Sequence, residues 1–310
     1  MRMKQTANDV MMWAIQPDAL ERAQVMTAPS MAMAAEAYDV GAPTFEAAGD
    51  FGGVTAGNVA VIRLRGVIVP RGSQFMEQAG YITSLQSFAR VMRQAAGDAS
   101  VGHIVIDVDS PGGQVSGVPE MAAIVREIAV EKPVTAVANH LMASAAYWIG
   151  SAASTLVATP SAQVGSIGVF ATHLDYSAAL AQKGIAVTLI AAGAHKTDGN
   201  PYEPLSDDAR AAIQETVNTY YDQFVADVAA GRGVRVEDVR GGYGEGRVLT
   251  ANAAMAAGMI DRIATLDDVM ASLTGGRSAG VRAERDTERE YRERRQRAYS
   301  RPIVLPHSDE

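Results

Sequence analysis

Two side chains of this sequence could act together as a nucleophile and its base. Ser144 lies in the small-residue run MASAAYW (142–148), and Lys196 lies in GAHKTDG (193–199). A serine hydroxyl can attack a carbonyl carbon when a neighbouring amine removes its proton. If Ser144 opens a helix, the positive end of the helix dipole would stabilise the negative charge that develops. The pair predicts hydrolysis of peptide bonds through a serine nucleophile and a lysine base.

The lysine must meet a strict condition to serve as that base. Lys196 can accept a proton only when it is uncharged near neutral pH, which requires that its amine be removed from water. The alternative is a solvated loop lysine whose charge is held by Asp198, two residues further on. A hydroxyl that orients the neutral amine would favour catalysis. Ser166, in the run GSIG (165–168), is the candidate for that role.

A glycine turn could supply the hydrogen-bond donors that the reaction needs. The apolar run IVIDVD (104–109) leads into SPGG (110–113), and glycines allow backbone N–H groups to turn toward a reacting carbonyl. The continuation GGQVSG (112–117) has neither the GxGxxG pattern nor the lysine of a phosphate loop. Nucleotide binding is therefore not expected.

A serine, histidine and aspartate triad is a second possible arrangement. Ser144, His173 and Asp222 occur in an order known from other proteases, and a fold could bring them together. Histidines and acidic residues are common, however, so a trio in this order also arises by chance. The order alone is weak evidence for a triad.

The composition argues against several other kinds of site. The absence of cysteine excludes disulfides, thiolate nucleophiles and cysteine zinc sites. A net charge of −8 argues against nucleic-acid binding. The five histidines show no metal-ligand spacing, and they are His103, His140, His173, His195 and His307. We expect no metal and no cofactor.

The hydropathy of the chain predicts no membrane anchor. No run reaches the roughly 18 to 20 apolar residues that a membrane span needs. Polar residues such as Asn8, Asp9 and Gln16 interrupt any apolar signal core near the N-terminus. We therefore expect a cytoplasmic protein that is not exported.

Alternation of strands and helices predicts an α/β fold with a mainly parallel sheet. Several short apolar runs predict strands, at 59–70, 104–108, 134–138, 155–158, 166–170 and 186–191. Apolar residues at helical spacing predict helices capped by Thr83, following Pro119, near 176–183, and over 206–230 with Ser206 as N-cap. Active sites of such folds lie where strands end and helices begin, which is where the SPGG turn and Ser144 are expected.

Composition divides the chain into three parts. Residues 1–56 are rich in Ala, Met and Gly and are predicted to form a mobile N-terminal arm. Residues 57–272 form the predicted catalytic domain. Residues 273–310 form a tail dominated by Arg and Glu, which predicts either a solvated segment or a docking segment for a scaffold.

These residues resemble the signal peptide peptidase A family of serine proteases, which shares the crotonase fold of repeated ββα units with the Clp protease. Within that family the chain is similar to the head-maturation proteases of lambda-like phages. The resemblance covers roughly residues 57–272 and rests on six runs, which are DSPGG (109–113), ASAAYW (143–148), VGSIGV (164–169), HKTDGNPY (195–202), GRVLT (246–250) and AGMID (257–261).

The resemblance implies a role for each site residue. Ser144 would be the nucleophile, Lys196 the general base and Ser166 the hydroxyl that orients the lysine. The backbone N–H groups of Gly113 and Ala145 would form the oxyanion hole. The common family pattern has two glycines after the nucleophile, whereas this chain has two alanines, which would narrow the site.

The resemblance also implies partners and a setting. Family members with one catalytic domain form homo-oligomeric rings in which neighbouring subunits complete each site. Head-maturation proteases act on scaffold, portal or capsid proteins inside the immature head. Two alternatives stay open, namely a cytoplasmic bacterial enzyme that degrades peptides and a non-catalytic head-assembly scaffold protein.

Overall fold

Two β-sheets with helices packed around them form the described part of the chain. The computed structural model describes residues 12–20, 55–56 and 58–275. The strands are β1 (Met12–Ile15), β2 (Thr55–Ala56), β3 (Val59–Arg65), β4 (Val67–Val69), β5 (Ile82–Ser84), β6 (His103–Ser110), β7 (Gly112–Gln114), β8 (Val134–Ala143), β9 (Thr155–Ala158), β10 (Gln163–Gly165), β11 (Phe170–Ala171), β12 (Val248–Thr250) and β13 (Arg262–Ile263). The helices are α1 (Gln74–Gln78), α2 (Leu85–Gly97), α3 (Val118–Glu131), α4 (Ala145–Gly150), α5 (Ser177–Gln182), α6 (Asp207–Arg232), α7 (Val236–Gly242), α8 (Ala251–Ala256) and α9 (Leu266–Leu273).

The larger sheet is mainly parallel, which confirms the predicted α/β class. Its strand order is β12-β10-β8-β6-β3-β2, with β9 also paired to β8 and β13 paired to β9. Antiparallel pairs occur only at its ends, between β2 and β3 and between β10 and β12. The central strands β3, β6 and β8 are mostly apolar and mostly buried, as expected for a parallel sheet covered on both faces.

The smaller sheet carries the glycine turn. Its order is β11-β1-β7-β4-β5, and β1 runs antiparallel to both of its neighbours. Strands β6 and β7 followed by α3 form one ββα unit. The single strand predicted over 59–70 is divided at Gly66, whose φ of +67° turns β3 in one sheet into β4 in the other.

The predicted helices form, with one change of cap. Ser84 caps α2 by accepting a hydrogen bond from the Ser87 backbone N–H, whereas Thr83 was predicted to be the cap. Thr83 lies in β5, and its hydroxyl donates to the carbonyl oxygen of Arg65 at 2.7 Å. The prediction of Ser206 as the cap of α6 is confirmed, since its hydroxyl accepts from the Ala209 N–H.

Helix α6 is buried mainly over its second half, although Ala209 near its start is also buried. Phe224 and Val228 are buried, whereas Ile213 and Val217 of the same predicted stripe are partly exposed.

Two predicted strands are not formed as expected. Residues 166–169 are not a strand, because Ser166 has a φ of +55° and ends β10. Residues 186–191 are also not a strand, and the prediction was wrong for this chain. Four apolar side chains of the 185–190 segment are exposed, and they are Ile185, Val187, Leu189 and Ile190. A strand needs a pairing partner, and this segment has none within the described ranges.

The predicted mobile arm is wrong for residues 12–20. These residues form β1 and a short 3-10 turn, because Trp13 and Ile15 are buried against Val67, Val69 and Ile82. The rest of the predicted arm, apart from residues 55–56, lies outside the described residues. The Arg and Glu-rich tail also lies outside them from residue 276 onward.

Candidate active site

Ser144 lies at a strained junction between β8 and α4. Its backbone has φ +55° and ψ −120°, a conformation that non-glycine residues rarely adopt. The junction is held on both sides, because the Ser144 N–H donates to the Gly165 carbonyl at 2.7 Å and its own carbonyl accepts from the Trp148 N–H at 2.9 Å. The residue is 1% exposed. Its Oγ has no hydrogen-bond partner in the described part of the chain.

An unsatisfied buried hydroxyl at a strained position is unfavourable for stability, so it points to a function. The Ser144 Oγ follows the end of a central parallel strand and opens a helix. This is the position at which α/β folds place reactive groups. Ser144 is therefore the candidate nucleophile of the described chain.

Ser166 lies beside Ser144 in the fold. Strands β8 and β10 are parallel, and Gly165 is in register with Ala143. Ser144 and Ser166 each follow directly after these paired residues. Ser166 is 6% exposed, and its N–H donates to the Arg247 carbonyl at 2.8 Å. The structure thus brings these two predicted site residues together.

The glycine turn lies against the same point. Gly112 has a φ of +98°, and a Cβ added there would collide with the Ala14 carbonyl oxygen and lie 2.9 Å from the Ser144 Cβ. The Ser110 hydroxyl fixes the turn by accepting from the Gly112 N–H at 3.2 Å and donating to the Gly66 carbonyl at 2.6 Å. Only glycine fits at position 112, because a side chain would occupy the space before the nucleophile.

The two predicted oxyanion donors flank Ser144 in different ways. Ala145 is the first residue of α4, and N–H groups of the first helical turn have no partner within the helix. Gly113 lies in β7, in register with Ala14 of β1 on one side and Ile68 of β4 on the other. Both backbone groups therefore belong to the surroundings of the nucleophile.

Helix α4 is fixed from behind by contacts that the sequence analysis missed. The Trp148 ring stacks on Phe224 of α6, with centroids 4.3 Å apart and planes 7° from parallel. The Trp148 Nε1–H donates to Asp227 at 2.9 Å, and Asp227 also pairs with Arg126 at 3.0 Å. No local signal could have identified Asp227, since its partners are far away in the sequence.

Tyr147 is anchored in the same interior. It is fully buried, and its hydroxyl donates to the Met259 carbonyl at 2.9 Å. Burial raises the pKa of Tyr147 far above its usual value, because the charged phenolate would lose its hydration. The phenol therefore stays protonated and keeps this hydrogen bond near neutral pH.

Lys196 does not share the interior with Ser144. It is exposed, as are its neighbours from Ala191 to His195. His195 pairs with Asp198 at 3.0 Å in the same surface segment. The described residues therefore do not enclose the dry pocket that a lysine base requires, which agrees with the solvated loop lysine considered as the alternative.

The alternative triad is not assembled. The Nε2 atom of His173 lies 2.9 Å from the carbonyl oxygen of Asn200. Asp222 forms an ion pair with Arg240 at 2.7 Å on the surface of α6. Because His173 and Asp222 have these other partners, they do not form a relay toward Ser144.

Within residues 12–20, 55–56 and 58–275, acidic and histidine side chains form no group of three that could hold a metal ion. No helix among the described residues combines the length and apolar character needed to cross a bilayer.

The chain is similar in sequence to known proteases. The chain is 36% identical over 212 residues to the capsid assembly protease C of Escherichia phage lambda, an alignment that covers 68% of this chain and 48% of that protein. It is 31% identical over 225 residues to a putative signal peptide peptidase SppA of Enterococcus faecium, covering 70% and 64% of the two chains. The chain thus spans less than two thirds of the length of each relative.

A ClpP1 mutant from Listeria monocytogenes matches in structure with a TM-score of 0.42 and 14% identity, covering 67% of this chain and 92% of that one. The model of peptidase family S49 matches residues 126–280, which include Ser144, Ser166 and Lys196. Because this match covers half of the chain, the chain belongs to peptidase family S49.

Proposed function

We propose that the chain is a serine endopeptidase that processes proteins of an assembling phage head. Ser144 Oγ attacks the carbonyl carbon of a peptide bond while the neutral Lys196 amine takes its proton. The lysine then gives that proton to the leaving amine, and an ester links the substrate to Ser144. Water hydrolyses the ester, again with Lys196 as the base. Ser166 orients the lysine amine.

The oxyanion of each tetrahedral intermediate would be bound by the backbone N–H groups of Gly113 and Ala145. Such fixed donors stabilise the transition state because they are already oriented when the charge develops. The start of α4 adds the positive end of its dipole beside Ala145, although this helix is short. The reaction needs no metal or cofactor.

One observation carries this proposal above all others. Ser144 combines a strained backbone, almost complete burial and a hydroxyl with no hydrogen-bond partner in the described chain. A serine with only a packing role would satisfy its hydroxyl and relax its backbone. These properties support a nucleophile that is prepared for a substrate.

The position of Lys196 supports a site that is completed by a second copy. The lysine is exposed, and the apolar 185–190 segment just before it is exposed as well. Contacts with a neighbouring subunit would cover both and remove water from the amine, as a base requires. We propose a homo-oligomeric ring in which Lys196 of one subunit serves Ser144 of the next, so that activity follows assembly.

The proposed substrates follow from the relatives. The phage lambda protein that shares 36% identity with this chain over 212 residues is named capsid assembly protease C. We propose scaffold, portal or capsid proteins as substrates, and the host cytoplasm and the interior of the immature head as the location. The similarity to the putative signal peptide peptidase makes general peptide degradation the second candidate.

Co-expression with phage head proteins tests the proposed function. The wild type should cleave one or more of them, whereas Ser144→Ala and Lys196→Ala should leave them intact. Lys183→Ala is the matched control, because Lys183 is another exposed lysine close to the 185–190 segment. It should cleave like the wild type.

Each outcome separates the candidates. Normal cleavage by Ser144→Ala would rule out the serine nucleophile. If Lys196→Ala cleaves the head proteins and Ser144→Ala does not, Lys196 is not the general base. If the wild type hydrolyses unstructured peptides but no head protein, peptide degradation is the function; if it cleaves neither, the chain has a non-catalytic role in head assembly.

A further inference from the structure

Strand β1 lies between two strands of the smaller sheet, next to the candidate nucleophile. It is antiparallel to β7 on one side, where Ala14 is in register with Gly113. It is antiparallel to β11 on the other side, where Trp13 is in register with Phe170. The N-terminal segment therefore fills a groove whose two walls are sheet edges.

The hydrogen bonds of β1 lead directly to the predicted oxyanion donor. The Gln16 N–H donates to the Pro111 carbonyl at 2.9 Å, and the Val115 N–H donates to the Met12 carbonyl at 3.1 Å. Along an antiparallel ladder, hydrogen-bonded pairs alternate with pairs that are not hydrogen-bonded. Ala14 and Gly113 lie two residues from each of these two hydrogen-bonded pairs, so they form a hydrogen-bonded pair as well. The Gly113 N–H thus faces the carbonyl oxygen of Ala14.

The same carbonyl is adjacent to Ser144. A Cβ placed on Gly112 would touch both the Ala14 carbonyl oxygen and the Ser144 Cβ, so both groups lie close to the same point. Ala14 is fully buried, and Ser144 is 1% exposed. The Ser144 hydroxyl is therefore buried in the conformation in which β1 is docked.

The side chains of β1 alternate between two environments. Trp13 and Ile15 are buried in a separate apolar cluster with Val67, Met76 and Ile82. Ala14 presents only a methyl group to the opposite side, where it joins the main core. Main-chain bonds on both edges together with alternating side-chain pockets are the way in which proteins bind an extended peptide by strand addition.

We propose that residues 12–16 occupy the groove in which an extended substrate binds, with Ala14 in the place of the residue whose carbonyl is attacked. Strand β1 is then a built-in inhibitory strand, and it must leave before a substrate peptide enters. The groove between β7 and β11 takes an extended peptide with a small residue at the position of Ala14 and larger apolar residues on either side. This inference rests on the proposed role of Ser144.

The test measures access to Ser144 in the full-length protein. In the Ala14→Arg variant, the larger side chain does not fit in the space that the buried Ala14 methyl group occupies, so β1 should leave the sheet. We expect a fluorophosphonate probe to modify Ser144 about tenfold faster or more in this variant, because the rate follows the fraction of chains with an open groove. Acrylamide should also quench the fluorescence of Trp13, which is 1% exposed in the docked strand.

Val269→Ala is the control for a general loss of stability, because Val269 lies in a third apolar cluster, separate from the one that contains Trp13 and Ile15. It should lose stability without faster modification. Should Ala14→Arg fail to fold, Trp13→Ala replaces it, with the same expected increase. A synthetic peptide with the sequence of residues 10–18 should slow the modification of Trp13→Ala, whereas the same peptide carrying Ala14→Arg should not.

Two results would overturn the inference. If Trp13 becomes accessible while Ser144 is modified at the wild-type rate, β1 is a structural strand that does not guard the groove, and the proposed peptidase function is unaffected. If Ser144 is modified in no variant, the nucleophile itself is wrong, and both proposals fail.

Discussion

At the scale of single residues, the backbone of Ser144 is held in a strained conformation. A positive φ at a non-glycine residue costs of the order of 1–3 kcal/mol and persists only where the surroundings impose it. Here the imposing contacts are the Gly165 carbonyl on one side and the first turn of α4 on the other. The hydroxyl is consequently held at the end of β8 and in front of Gly112.

Gly112→Ala tests how closely this space is filled. The added Cβ would collide with the Ala14 carbonyl and approach the Ser144 Cβ at 2.9 Å, at a φ of +98°. We expect a stability loss of about 1–3 kcal/mol in urea denaturation. We also expect peptide hydrolysis to fall about 100-fold, because the nucleophile is displaced.

Gly97→Ala is the matched control. Gly97 ends α2, has no positive φ, and has nothing within 4 Å of an added Cβ. Its stability should change by less than about 0.5 kcal/mol, and its activity should not change. Equal effects of the two substitutions would show that Gly112 has no special relation to the site.

At the scale of elements, α6 positions α4, the helix that follows Ser144. The stacking of Trp148 on Phe224 and the hydrogen bond to Asp227 join α4 to α6. Gly231 allows α6 to approach the C-terminal end of α4 closely, since a Cβ at Gly231 would collide with the Ser151 carbonyl. The first residues of α4 are therefore fixed from its buried side.

Asp227→Leu should weaken this connection. It leaves the Nε1–H of the fully buried Trp148 without its acceptor, which costs about 1–3 kcal/mol. Asp227→Asn keeps an oxygen acceptor and loses only the charge paired with Arg126, a partly exposed ion pair worth at most about 1 kcal/mol. Urea denaturation should rank the wild type, Asn and Leu in that order, with activity in the same order. A leucine variant as stable as the asparagine variant would contradict this account.

At the scale of the whole molecule, the proposed assembly rests on exposed apolar surface. Ile190 is 97% exposed and lies in the 185–190 segment, a few residues before Lys196. Exposed apolar residues that cluster in one segment mark an interaction surface more often than scattered ones do. Association through this segment would bring the lysine into an interface.

Ile190→Asp should break that association. The change leaves the fold of the single chain intact, because the side chain is exposed, and we expect unchanged circular dichroism. Light scattering after gel filtration should show a smaller particle, and peptide hydrolysis should fall to background. Val130→Asp, at a 77% exposed position on α3, is the control and should keep both mass and activity. If Ile190→Asp keeps the wild-type mass, the segment is not the interface.

The sequence was informative where the signal is local. Apolar runs such as 104–108 and the helical stripe of α2 predicted buried elements, and the structure confirms them. Ser144 was predicted from a small-residue run where a strand gives way to a helix, and Ser166 from the run GSIG (165–168), although the strand predicted to begin at Ser166 does not form. These features depend on residues close in sequence.

The sequence could not show what depends on distant or missing partners. Strand β1 resembles a mobile arm in composition, and it is ordered only because Trp13 and Ile15 find the cluster around Val67. Asp227 meets Trp148 across 79 residues. The 185–190 segment has the pattern of a strand, but a strand forms only with a neighbour.

Complementation between two inactive variants tests the central claim most directly. Assemblies of Ser144→Ala alone and of Lys196→Ala alone should both be inactive. Mixed assemblies are made by co-expressing the two variants with different tags and purifying through both tags. If Lys196 of one subunit serves Ser144 of the next, equal mixing should restore about one quarter of the wild-type peptide hydrolysis, because one interface in four joins two intact residues. Background activity in mixed assemblies that contain both tags would contradict a dyad shared between subunits.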